Sequence, residues 1–187
     1  RTQYATEKGI DNSPQNLNGM SFDGATPAGG QPAQQAYIHF SISAYNRWDY
    51  DAASGRYLRS QDTKEVATAE DEAYAPMVDG LTGQQLAADN VVVLYVAHSY
   101  AFQTHPGNAE IIDILFSGSA LGYAMRDGQI YEIRWNRPKE GSVLYLTYPD
   151  GRPFPFKPGI TWFEVIGQSS KMTAPAAGVW RFTFGIP

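Results

Sequence analysis

The chain contains no cysteine, which excludes disulfide staples, Cys-ligated zinc, thiol nucleophiles and cysteine-held iron–sulfur clusters. A cysteine-free chain also suits the outside of a Gram-positive-type cell. Histidine is scarce: only His39, His98 and His105 occur, in neither an H-x-x-x-H nor an H-E-x-x-H pattern. His98 and His105 lack a spaced carboxylate, so no metal site is expected. Charged residues are few, at 18% with a net charge of −5, and Lys and Arg never gather into a run. A basic face for nucleic acid is therefore disfavoured. No apolar run approaches the roughly 18 residues that cross a bilayer as a helix. The serines of "FSGSALG" lack the G-x-S-x-G elbow. Phosphate loops and dinucleotide fingerprints are also missing, so no cofactor is expected.

What is present is enough for a core. A chain of 187 residues, 43% hydrophobic, can bury about 70% of its unfolded surface as one domain. Residues 1–36, ending in "SFDGATPAGGQPAQQ", have the Gly, Pro and Gln content of a linker or the tail of a preceding N-terminal domain. Their first residues, "RTQYATEKGIDN", read as the end of a helix closing at Gly9. A start at Arg1 rather than Met suggests a processed or truncated product, with any targeting segment upstream.

From residue 37 to 187 the pattern becomes short β-branched and aromatic runs separated by turns, the signature of a mainly β, β-rich α+β domain. The expected architecture is an antiparallel sheet or sandwich built from hairpins with one or two short helices. "NVVVLYVAH" is apolar at consecutive positions, which predicts a central strand over 90–97 with Val92, Leu94 and Val96 buried. Asp127-Gly128, flanked by aromatic and aliphatic residues, predicts a type I′ hairpin joining 120–126 to 129–135. Further hairpins are expected between 41–50 and 56–61, and between 143–148 and 153–156. "KEVATAEDEAYAPM" predicts a helix near 64–75 that Pro76 ends. Its Glu70-Asp71-Glu72 cluster reads as a solvated face.

The stretch "RWDYDAASGRYLRSQD" admits two readings. Asp49 and Asp51 share a strand face and could sit about 5 to 7 Å apart, a spacing usable by a glycosidase. Alternatively Asp51 opens a five-residue loop, Gly55 supplies its positive φ, and Tyr57 returns opposite Tyr50 or Trp48. The hairpin explains more of the residues. Arg59 could then pair with Asp49 or Asp51 across it. Aromatic residues amount to 13%, and most must fill the core, while a minority on a sheet face would make a stacking platform for sugars or peptides.

Four stretches, "FSISAYNRWDYDAASGRYLRS", "MVDGLTGQQLAADNVVVLY", "FSGSALGYAMRDGQIYEIRWNRP" and "YPDGRPFPFKPGITWFEVI", resemble in order the C-terminal domain of the YerB-like bacterial lipoprotein family, a family of unknown function. The resemblance covers about 130 residues. It implies a secreted, lipid-anchored cell-envelope protein with another domain N-terminal to this one, extracytoplasmic and touching the membrane only through an upstream anchor. The family pattern has a His where this chain has Met77, which lowers the case for catalysis. Tyr50, Arg59, Asp79, Asn90 and Trp135 are the candidate ligand-binding residues from these stretches. Asp79 and Asn90 bracket a turn, where Asx side chains commonly bond their own backbone. The function expected first is a non-catalytic module binding a wall glycan, a peptide or an envelope protein. The alternatives are a wall-polymer hydrolase using Asp49, Asp51 or Asp79, and a structural spacer.

Overall fold

The computed structural model describes residues 6–9, 18–102 and 111–186; His105 lies outside them. Strands β1 (Ser21–Phe22), β2 (Gln31–Pro32), β3 (Gln35–Ser41), β4 (Ala44–Asp51) and β5 (Arg56–Asp62) come first. Next are β6 (Tyr74–Pro76), β7 (Ala87–Ala88), β8 (Asn90–Phe102) and β9 (Ile111–Leu115). Strands β10 (Gly118–Arg126), β11 (Gln129–Arg137), β12 (Tyr145–Thr147), β13 (Pro155–Phe156), β14 (Thr161–Gly167), β15 (Lys171–Ala176) and β16 (Val179–Thr183) complete the order. The protein is mainly β. One sheet runs β12-β11-β10-β8-β14, joined by β2 and β9; the other runs β15-β16-β3-β4-β5-β6, joined by β7.

Strand β8 lies between two apolar layers, which is why its sequence does not alternate. Val91 and Val93 pack with Trp48, Tyr57 and Phe182 of the second sheet, and Val92, Leu94 and Val96 pack with Trp135, Phe154 and Phe156 on the opposite side. All five valine and leucine side chains of 91–96 are fully buried, as their continuous run predicts. Asp127 (φ 53°) and Gly128 (φ 71°) form the expected tight turn, with Arg126 opposite Gln129 in register. The 56–61 hairpin is also present, pairing Trp48 with Arg59 and Tyr50 with Tyr57. The 41–50 run is broken, however, because β3 and β4 make a hairpin of their own around Ile42-Ser43. At 143–156 the chain reverses as expected, Tyr148 N–H donating to the Arg152 carbonyl at 2.8 Å, but the strands are short and β13 pairs with β1.

One expectation needs correcting. No helix covers 64–75; the segment holds one 3-10 turn, Ala69–Asp71, and then joins the sheet as β6. An isolated stretch of this length is a marginal helix, and tertiary bonds hold this one open: Val66 N–H donates to the Ile42 carbonyl, and the Tyr45 hydroxyl donates to the Lys64 carbonyl at 2.7 Å. The pairing is mainly antiparallel, as expected, with β14 parallel to β8 and β16 parallel to β3. The Gly/Pro-rich residues 20–36 run along the sheets, contributing β1, β2 and the start of β3. Buried donors take their carbonyls in turn: Arg126 to Ala25, Tyr131 to Pro27, Trp180 to Pro32 and Tyr57 to Ala33. A segment with few ladder bonds of its own thus has its carbonyls satisfied by side chains.

Candidate functional site

On the outer face of the second sheet, alternation brings every second residue of β3 and β4 to the same side. Tyr37 stands opposite Arg47 and beside Arg181 of β16, so Arg181, Tyr37 and Arg47 form one row across three strands. Residues 69–74 fold over this row. Tyr74 meets Tyr37 edge-on at 5.8 Å between ring centroids, and the Arg47 guanidinium lies 5.0 Å above the Tyr74 ring. Arg181 lies 5.7 Å from the Tyr37 ring centre. The result is a cleft of about 460 Å³ lined by Tyr37, Arg47, Glu72, Tyr74, Pro175 and Arg181, among others.

Glu72 organises one wall. Its carboxylate is 3% exposed and accepts from both terminal nitrogens of Arg181, from His39 Nδ1 at 2.8 Å and from the Tyr74 hydroxyl at 2.5 Å. Burial alone would raise this carboxyl, but the bonds from Arg181, Tyr74 and His39 outweigh it and hold it below the usual range. The solvated-face reading of Glu70-Asp71-Glu72 is therefore wrong at Glu72. Its partner sits far along the chain, on a strand brought back in parallel. Tyr74 is kept neutral by burial and by the adjoining carboxylate.

Asp49 and Asp51 separate into two structural roles. Asp49 accepts from Gln35 Nε2 at 2.8 Å and Arg47 Nε at 2.7 Å. Asp51 accepts from the Ser54 hydroxyl and the Ser54 and Ala53 amides, bonds that lower its pKa. Asp79 is fixed the same way by Thr82 and Leu81, and is lowered likewise. A general acid needs the opposite shift. Asn90 ties β8 to residues 157–161, bonding the Lys157 carbonyl and amide and the Thr161 hydroxyl.

Tyr50 packs on Tyr57 at 5.2 Å, and Trp135 is buried, donating to the Tyr95 carbonyl at 2.8 Å. Arg59 does not pair with Asp49 or Asp51, because its side chain leaves the opposite face of the hairpin. It lies 4.9 Å from the Trp162 ring and 5.8 Å from that of Trp48. There it faces the buried Glu164, whose carboxylate accepts from Trp48 Nε1 at 2.9 Å and is pushed up by burial. Tyr50, Arg59, Asp79, Asn90 and Trp135 thus stand in separate places, and none lines the cleft. The cleft residues were partly signalled by the polar and aromatic alternation of "QAYIHFS" and "AYNRWDYD".

Residues 36–163 match the family described as protein of unknown function (DUF3048), C-terminal domain. The chain belongs to this family. The matched span holds Tyr37, Arg47, Glu72 and Tyr74 of the cleft, whereas Arg181 lies beyond it. No curated protein matches the chain. Among solved structures, the YerB protein from Bacillus subtilis is similar in fold, with a TM-score of 0.60 at 20% identity over 88% of this chain. The match covers 49% of that chain, so this domain corresponds to about half of its relative.

Proposed function

We propose that this is a non-catalytic binding module of a secreted, lipid-anchored cell-envelope protein, and that its ligand, a wall glycan or peptide, occupies the cleft between β16, β3, β4 and residues 69–74. The observation that carries this reading is the cleft's construction: tyrosine rings ordered by stacked arginines, apolar Pro175 beside them, and a polar wall fixed by Glu72. Such a mixture of apolar surface with a few oriented polar groups is what small ligands need. The hydrolase alternative is weaker, since Asp49, Asp51 and Asp79 are each tied up in hydrogen bonds within the protein. Isothermal titration with solubilised wall fragments tests the proposal. Binding that Tyr74→Ala abolishes supports it, and binding indifferent to Tyr74→Ala and Tyr37→Ala rules the cleft out.

A further inference from the structure

Resting on that reading, we infer that Arg47 is a receptor for a planar carboxylate, so that the ligand in the cleft is an acid. Two contacts hold this side chain. Its Nε donates to Asp49 and its guanidinium lies on Tyr74, with Tyr37 opposite it in register on the adjacent strand. Among the described residues its two terminal nitrogens have no hydrogen-bond partner, and the side chain is 30% exposed at the cleft. A guanidinium so held presents two parallel donors in a fixed plane, the geometry that a carboxylate matches with two oxygens.

The same sheet row contains the completed version of this arrangement. Arg181 lies over Tyr37 as Arg47 lies over Tyr74, and its two terminal nitrogens grip both oxygens of Glu72. One stacked arginine is filled by a carboxylate of the protein; the other faces the cleft. Local charge selects among anions. Asp49 balances Arg47, Glu72 balances Arg181, and Glu70 adds a negative charge at the rim. A singly charged carboxylate meets these three carboxylates with half the charge of a phosphate dianion and matches the planar fork, so it is the favoured anion. Two sources share the required chemistry, a sugar acid and a peptide C-terminus.

Four probes separate the possibilities in titrations of the whole chain: glucuronic acid, glucuronamide, acetyl-alanyl-alanine and its C-terminal amide. The expected result is that one acid binds at least about tenfold more tightly than its own amide, and that Arg47→Lys, which keeps the charge but loses the fork, removes that difference. Whichever acid wins names the source. An unchanged thermal midpoint in Arg47→Lys shows that the fold is intact. Acid and amide binding alike at the cleft would overturn the inference while leaving the binding module standing. So would tighter binding of inorganic phosphate than of either acid. Failure of all four probes while wall fragments bind would overturn it too, and failure of the fragments as well would remove both readings.

Discussion

Arg181, on the last strand, grips both oxygens of the Glu72 carboxylate, which is almost wholly shielded from water. Removing one partner of a buried pair leaves the other uncompensated, so Glu72→Gln is expected to cost about 3 kcal/mol in urea denaturation at neutral pH. A depressed carboxyl contributes stability above the ordinary glutamate range and loses it as pH falls through its folded pKa. The wild type should therefore converge on the variant in acid. A constant gap across pH would mean that Glu72 acts through packing alone.

Glu164 behaves oppositely. Burial raises its carboxyl, so the folded state favours the protonated form, and this stability is present in acid and lost as pH rises through the folded pKa. Arg59 is the cation that faces it. Glu164→Gln, which keeps an acceptor for the Trp48 indole, should match the wild type at about pH 4 and become the more stable chain by about pH 8. Tryptophan fluorescence during denaturation reads this directly, since Trp48 donates to Glu164. A variant less stable at high pH would contradict the sign.

The segment at 20–36 should behave as part of the domain. Tyr131→Phe removes the donor to the Pro27 carbonyl and should cost about 1 kcal/mol. Arg126→Met removes the fully buried cation bonded to Ala25, Pro155 and Asp127 and should cost about 3 kcal/mol or more. A chain beginning at residue 36 leaves several buried donors bare and should be readily proteolysed. Equal protease resistance of the short and full chains would show that the segment is dispensable.

Gly128 is the sharpest test of the β10–β11 turn. At φ 71° a side chain is strained, and an added Cβ would meet the Tyr50 ring at 2.8 Å. Gly128→Ala should cost about 2 kcal/mol by thermal melting. A neutral substitution would mean that the turn relaxes freely.

That turn shows what was legible in the chain. Asp-Gly carries its own conformational requirement within two residues, and the 91–96 run declares burial on both faces by composition alone. The parallel returns of β14 and β16 carry no such local mark, because the strands they join lie far apart in the chain. Glu72 illustrates the consequence: beside Glu70 and Asp71 it looks like surface, and only the placement of Arg181 buries it. The helix reading of 64–75 fails for a related reason, since the Tyr45 hydroxyl and the Ile42 carbonyl that hold the segment extended belong to the β3–β4 hairpin. In the site, the alternation within each strand was readable, whereas the pairing of Tyr37 with Arg47 across the β3–β4 hairpin and their closure by Tyr74 were not.

The cleft's role is tested most directly by mapping backbone amide shifts in nuclear magnetic resonance spectra while solubilised wall fragments are added. The account predicts saturable shifts concentrated at Tyr37, Arg47, Tyr74, Val179 and Arg181 that vanish in Tyr74→Ala. Shifts confined to another surface, such as the groove at Tyr148 and Arg152, would contradict it.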